Sequence, residues 1–283
     1  MRQRSAFLLI APGALLVGGA FLFPFAFLLM TSFWAQRPGS LLYDETFTLA
    51  NYLRIATDPF FVVAMLRTIA LGLATVAICL VLGLPIARWI ARRANRSRGL
   101  LIVLVVMPLV CGALIQTLGL VQLLSLLGVV NGALKALGLI DGSIHFLGNE
   151  FGILIGLVQA FLPLMVLPLT TVLAKLPVEL EEAASSLGAP AAKVWRHVIL
   201  PLSVPGIVAG SVLVFFAAVT SFVTPQILGQ GRVSTFGTMM YQQAALVNDW
   251  PFASALAVTM LVVLAAVWLV IMGWTRARAP VPA

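Results

Sequence analysis

Six stretches of the chain run for twenty residues or more without an Asp, Glu, Lys or Arg: 5–36, 68–87, 99–134, 151–174, 198–231 and 250–275. Crossing the hydrocarbon core of a bilayer takes about 20 apolar residues. Inside that core every backbone N–H and C=O must be satisfied by the chain itself, which makes the helix the spanning element for runs of this kind. The sequence therefore predicts an all-α integral membrane protein in a single domain, 1–283. Its six transmembrane helices are expected at about 7–33, 62–88, 99–124, 151–174, 203–228 and 252–274. The 99–134 stretch is too long for one upright span, and its end, with Gly128, Asn131 and Gly132, is expected at the interface or as a short surface helix. The first stretch far exceeds the roughly 7–15 residues of a signal-peptide core, so it is expected to remain as a span.

Only 9% of residues are charged and the mean hydropathy is +1.10, against about 25% charged in soluble domains. The net charge of +8 raises the question of nucleic acid, and its distribution answers it. With both termini in the cytoplasm, the inner side collects Arg2, Arg4, Arg88, Arg92, Arg93, Arg96, Arg98, Lys175, Lys193, Arg196, Arg276 and Arg278, twelve of the seventeen basic residues. Arg37, Arg54, Lys135 and Arg232 fall outside, with Arg67 at the top of the second span. That asymmetry is the positive-inside pattern. The basic excess sets orientation, and the expected partner is membrane lipid, not nucleic acid. Cys79 and Cys111 both lie within spans, where a thiol behaves as a small apolar side chain.

No phosphate-cradling glycine loop, GxSxG or HExxH occurs, and no Cys/His cluster suggests a metal. The two histidines, His145 and His197, fall outside the spans. No span has an internal Asp, Glu or Lys, which argues against an ion-coupled carrier. Energy for any transport is expected from outside this chain. Prolines punctuate the spans (Pro12, Pro24, Pro85, Pro108, Pro163, Pro168, Pro205 and Pro225), either bending helices for packing or lining a gated path. The outer segments 34–61, 125–150 and 229–251 are too short for a capture domain, so a receptor for solute would be a separate protein.

The insert at 177–202 breaks the apolar pattern. Leu180, Ala183, Ala184 and Leu187 fall at i, i+3, i+4 and i+7 of a helix. Pro177 suits its first turn, Glu179, Glu181 and Glu182 suit the positive end of its dipole, and Gly188 suits a left-handed stop. A helix of about ten residues over 178–188 is too short to be stable alone. A second short helix is expected from Pro190 to about Leu200, ended by Pro201 and Pro205 as the fifth span begins. On these grounds alone the insert is either an interfacial decoration or an element that docks on a partner.

"EAASSLG" followed nine residues later by "VILP" resembles the EAA loop of binding-protein-dependent ABC importer permeases: Glu182, Ala183, Ala184, Gly188, Leu200 and Pro201 match at the family's spacing, and Val198 replaces its Ile. The stretches 51–92 and 205–258 are similar to the spermidine/putrescine permease branch. The resemblance implies a type I importer architecture in a bacterial inner membrane, with 178–188 as the cytoplasmic coupling helix. Glu179, Leu180, Glu182, Ala183, Ala184, Leu187 and Gly188 would meet the ATPase. It also implies the partners: a second homologous permease, two ATPase subunits that bind ATP and Mg themselves, and a periplasmic binding protein. This chain would bind no cofactor and catalyse no reaction.

For the cargo, the polar and aromatic residues within the spans are the candidates: Gln116, Gln159, Phe215, Phe216, Thr220, Ser221, Phe222 and Thr224. They either line a translocation pathway, where aromatic faces suit an organic cation, or make helix–helix hydrogen bonds. The resemblance implies a polyamine such as spermidine or putrescine. The same importer class carries Fe(III), sulfate, thiosulfate, molybdate or organophosphonates, and a stand-alone secondary carrier would need inverted repeats and intramembrane charges.

Overall fold

Apolar runs fold into helices along nearly the whole chain. The computed structural model describes residues 2–36, 43–44, 46–93 and 95–277. Of the basic residues counted above, Arg37 and Arg278 lie outside the described residues, as do the side chains of Arg2, Arg4, Arg96 and Arg276. In order, the elements are α1 (Arg2–Thr31), β1 (Ala35–Gln36), β2 (Tyr43–Asp44), α2 (Ala50–Thr57), α3 (Pro59–Ala91), α4 (Asn95–Cys111), α5 (Ala113–Leu124), α6 (Val129–Ala136) and α7 (Glu150–Leu173). Then come α8 (Glu179–Ser186), α9 (Ala191–Val194), a π-helical turn (Trp195–Ile199), α10 (Leu200–Leu202), α11 (Val204–Thr220), α12 (Val223–Leu228), α13 (Phe236–Tyr241), a second π-helical turn (Gln242–Val247) and α14 (Trp250–Ala277).

Four described helical segments are long and apolar enough to cross a bilayer: Pro59–Ala91, Ala113–Ala136, Glu150–Leu173 and Trp250–Gly273. A fifth arises if Ala191–Leu202 and Val204–Thr220, which meet at 69°, count together. Two of the segments expected as single spans are interrupted. The 99–124 run breaks at Gly112, whose φ of +79° is costly for any residue with a Cβ. The 203–228 run breaks at Ser221, which is extended at φ −67°, ψ 130°. Pro225 has no N–H for the Ser221 carbonyl and its ring would press on that group, so the helix stops there and restarts as α12.

The chain divides into two units, residues 64–238 and the two ends, 1–63 with 239–283. In the larger unit α7 packs along α11. The approach is close because α11 presents Gly206 and Gly210, four residues apart. A Cβ on Gly210 would come within 2.7 Å of Met165 Sδ, and one on Gly206 within 3.2 Å of Leu169 Cα. In a bilayer, where helices gain little from hiding from water, such small-residue contacts and the dispersion they permit supply the packing energy. The core beside them joins Cys79, Leu84, Ala87 and Ile90 of α3 to Met165, Val166, Leu169 and Leu173 of α7, with Val194, Ile199 and Val214.

In the other unit α14 packs on α1 and α2. Asn51 Nδ2 donates to the carbonyls of Ser32 (3.2 Å) and Trp34 (2.9 Å), which holds α2 to the end of α1. The Arg54 guanidinium lies 4.4 Å from the ring centroid of Phe252 in α14. β1 and β2 pair antiparallel, Ala35 with Asp44 and Gln36 with Tyr43.

Candidate functional site

The insert after α7 forms the helix its sequence predicts. The N–H of Leu180 reaches the Pro177 carbonyl at 3.4 Å and that of Glu182 reaches Val178 at 3.1 Å. At the other end Leu187 N–H donates to Ala183 (3.1 Å), Ala189 N–H donates to Ala184 (3.2 Å), and Gly188 sits at φ +79°. That left-handed glycine closes the helix and turns the chain toward α9.

The two faces of α8 differ. Leu180 is 44% and Leu187 is 88% exposed, and Ala183, Glu179 and Glu182 are exposed with them. Ala184 faces the other way and packs against the core of the larger unit. The expected four-residue stripe is thus split: three of its members point away from the chain and the fourth points in.

The inward face also carries Glu181, a carboxylate that the sequence placed at the positive end of the helix dipole but not among the site residues. Arg88 Nη2 donates to its Oε2 at 2.6 Å, Arg92 Nε to its Oε1 at 3.2 Å, and Arg92 Nη2 also bonds Oε1. Arg92 Nη1 donates to the Leu176 carbonyl at 3.0 Å. The Glu181 side chain is 15% exposed, those of Arg92 and Arg88 23% and 32%. Burial works against its charged form, but hydrogen bonds from Arg92 and Arg88, and their charges, outweigh that and hold its carboxyl below the ordinary range. The sequence shows half of this arrangement: Arg88 and Arg92, one turn apart at the end of α3, form a fork suited to one carboxylate, whose identity only the fold supplies.

The far end of the insert leads into α11. Pro201 has no N–H for the His197 carbonyl, and the turn before it widens until Leu200 N–H reaches Trp195 O, five residues back. The second short helix therefore runs on to Leu202, past Pro201. Ser203 is buried and its hydroxyl donates to the Ile199 carbonyl at 2.6 Å. The Arg88 guanidinium stands 5.0 Å from the Trp195 ring centroid. The α8 helix is accordingly joined to α11 through the chain and to α3 through Glu181.

The eight polar and aromatic candidates do not form one group. Phe215 (5% exposed) and Thr224 (2%) are interior. Phe215 lies where a Cβ on Gly72 of α3 would meet it at 3.2 Å, and Thr224 Oγ1 is 3.4 Å from Thr117 Oγ1. Thr220 is exposed and bonds its own helix, Oγ1 to Phe216 O at 2.7 Å. Phe222 is 42% exposed, and it shares the α11–α12 break with half-buried Ser221. Gln116, Gln159 and Phe216 are half-buried, and the amide oxygen of Gln159 is enclosed without a hydrogen-bond partner.

Comparison with known proteins gives these features a context. Residues 80–280 match the family described as binding-protein-dependent transport system inner membrane component. The spermidine/putrescine transport system permease protein PotB of Escherichia coli (strain K12) is 35% identical over 93% of this chain and 95% of its own length. The molybdenum transport system permease protein ModB of Mycobacterium bovis (strain ATCC BAA-935 / AF2122/97) is 30% identical over 82% of this chain and 84% of its own. Among solved structures, a chain of a bacterial alginate ABC transporter, in complex with its alginate pentasaccharide-bound periplasmic protein, aligns over 100% of this chain and 97% of its own, with TM-score 0.77 and 18% identity.

Proposed function

The chain belongs to the inner membrane components of binding-protein-dependent transport systems, and from that membership we propose that it forms half of the translocation pathway for a polyamine delivered by a periplasmic binding protein. As a permease of an ABC importer it works within an assembly. The reading assigns it a second, homologous permease, two cytoplasmic ATPase subunits that hold ATP and Mg, and the binding protein outside. It takes α1, α3, α4 with α5, α7, α11 and α14 as six spans with both termini in the cytoplasm. In that orientation α8 is the coupling helix. Leu180, Ala183 and Leu187 enter a groove on the ATPase, with Glu179 and Glu182 at its rim. Gly188 makes the turn, and Ala184 seats the helix on the permease. Closure of the ATPases on ATP drives the two coupling helices together, and the spans rock from inward-open to outward-open.

The observation that carries the cargo assignment is the similarity to PotB along 95% of that protein's length. The spans themselves hold no carboxylate for an amine, because Glu150 and Asp249 lie at helix starts. Selection therefore rests with the binding protein, and the permease supplies a mildly polar conduit in which the orphaned amide of Gln159 is the first candidate contact. The likeness to ModB supports a second reading, the same importer with an oxyanion cargo. Thermal-shift titration of the binding protein encoded with this chain separates the two. Spermidine or putrescine should raise its melting temperature and molybdate should not; the reverse result transfers the assignment to the oxyanion.

A further inference from the structure

At the Arg88 end of α3 a hollow of about 520 Å³ is lined by Pro85, Arg88, Trp89, Arg92, Arg93 and Trp195. We propose that it binds the headgroup of an anionic phospholipid, a phosphodiester gripped by guanidinium groups, with the acyl chains laid along α3. The inference needs α3 to cross a bilayer and needs nothing about cargo or coupling.

Charge comes first. Three guanidinium groups face this hollow, and among the described residues the one carboxylate paired with any of them is Glu181, shared by Arg88 and Arg92. Among the described residues Arg93 has no ion pair; its guanidinium lies 4.6 Å from the Trp89 ring centroid. The Nε of Arg88 is buried and has no hydrogen-bond partner. A phosphodiester in the hollow would not reach that enclosed nitrogen; it would meet the exposed guanidinium of Arg93. Arginine suits that role because its planar fork matches two phosphate oxygens.

The apolar surroundings select a lipid over a free anion. Trp89 is 50% exposed and sits at the end of a 33-residue apolar helix, the depth at which tryptophan marks the membrane interface. An exposed ridge runs from it along α3 at steps of four through Pro85, Val81, Ala77 and Leu73, with Val81 72% and Leu73 58% exposed. The ridge is long enough to take an acyl chain and ends at the guanidinium groups. Basic pockets at helix ends, backed by apolar surface, are where anionic headgroups are held.

The test is native mass spectrometry of the full permease–ATPase complex in detergent, with phosphatidylglycerol and phosphatidylcholine of identical acyl chains added at equal concentration. Wild type should retain phosphatidylglycerol preferentially. Arg93→Gln should lower that preference about tenfold, the scale of one charge-assisted contact, and Trp89→Ala should lower retention of both lipids, with the complex still assembled in the same spectrum. Glycerol phosphate at the same concentration should displace nothing. Equal retention of the two lipids by wild type, or unchanged preference in Arg93→Gln, or unchanged retention in Trp89→Ala, overturns the proposal. Displacement by glycerol phosphate overturns it in favour of a soluble anion. Loss of the ATPase from Arg93→Gln, with lipid retained, overturns it in favour of a protein contact.

Discussion

Glu181 and Glu182 are neighbours in sequence and opposites in environment. Glu182 is exposed, while Glu181 is held by Arg88 and Arg92. Removing the Glu181 charge leaves two guanidinium groups without their counter-ion, a loss of about 2–3 kcal/mol for charge-assisted bonds of this burial. Glu181→Gln is therefore expected to loosen α8 from α3, so that reconstituted complex hydrolyses ATP with several-fold less transport per ATP; unchanged stoichiometry would refute the role. Glu182→Lys should instead weaken ATPase docking, read as loss of the ATPase on gel filtration. Because the Glu181 carboxyl is held below its ordinary value, its contribution to stability is complete at neutral pH. It is lost only as pH falls from the ordinary carboxylate range through the lower folded value. Acid titration of the unfolding midpoint should show that limb in wild type and lose it in Glu181→Gln. Arg88 and Arg92 were legible in the sequence as charges that set orientation. Their partner was not, because Glu181 lies 93 and 89 residues away along the chain and only the fold brings it near.

At the scale of elements, α8 was readable because its signals are local: a proline, three early glutamates, a periodic stripe and a terminal glycine. The breaks in the third and fifth apolar runs were harder. Every residue around Gly112 is apolar, so hydrophobicity gives no period that would mark an interruption, and only the positive φ discloses it. At Ser221 the cause was legible in Pro225 four residues on, but prolines 85, 163 and 168 lie within helices that continue past them. Context decides which proline breaks a span. The α7–α11 contact is more predictable once Gly206 and Gly210 are seen as a pair. Gly210→Leu must push Met165 aside, and overpacking of this kind costs about 1–3 kcal/mol. The expected outcome is a lower detergent-denaturation midpoint for the variant, with Gly13→Leu, which meets nothing within 4 Å, as the unchanged control.

The whole molecule was the most legible level. Helical class follows from where charge is absent, since the bilayer allows few alternatives to a helix; the count of spans does not follow so directly, because four described segments, or five with the bent pair, are long and apolar enough against six expected. The cargo was least legible, because no acidic residue inside a span commits the pathway to a ligand. Orientation is open to a direct measurement. Background substitution of Cys79 and Cys111 leaves single cysteines to be introduced at Ser186, beside the turn after α8, and at Leu127, which is 99% exposed. A membrane-impermeant maleimide should label position 127 from outside intact cells and position 186 only after lysis; the opposite pattern would invert the topology. Glu181 has a mechanical consequence at this scale too. A rod hinged at one point can swivel without moving what it hangs from, but α8 is pinned twice, by covalent chain and by an ionic fork. Any thrust delivered to it must therefore reach α3 and α11 together, as torque as well as displacement.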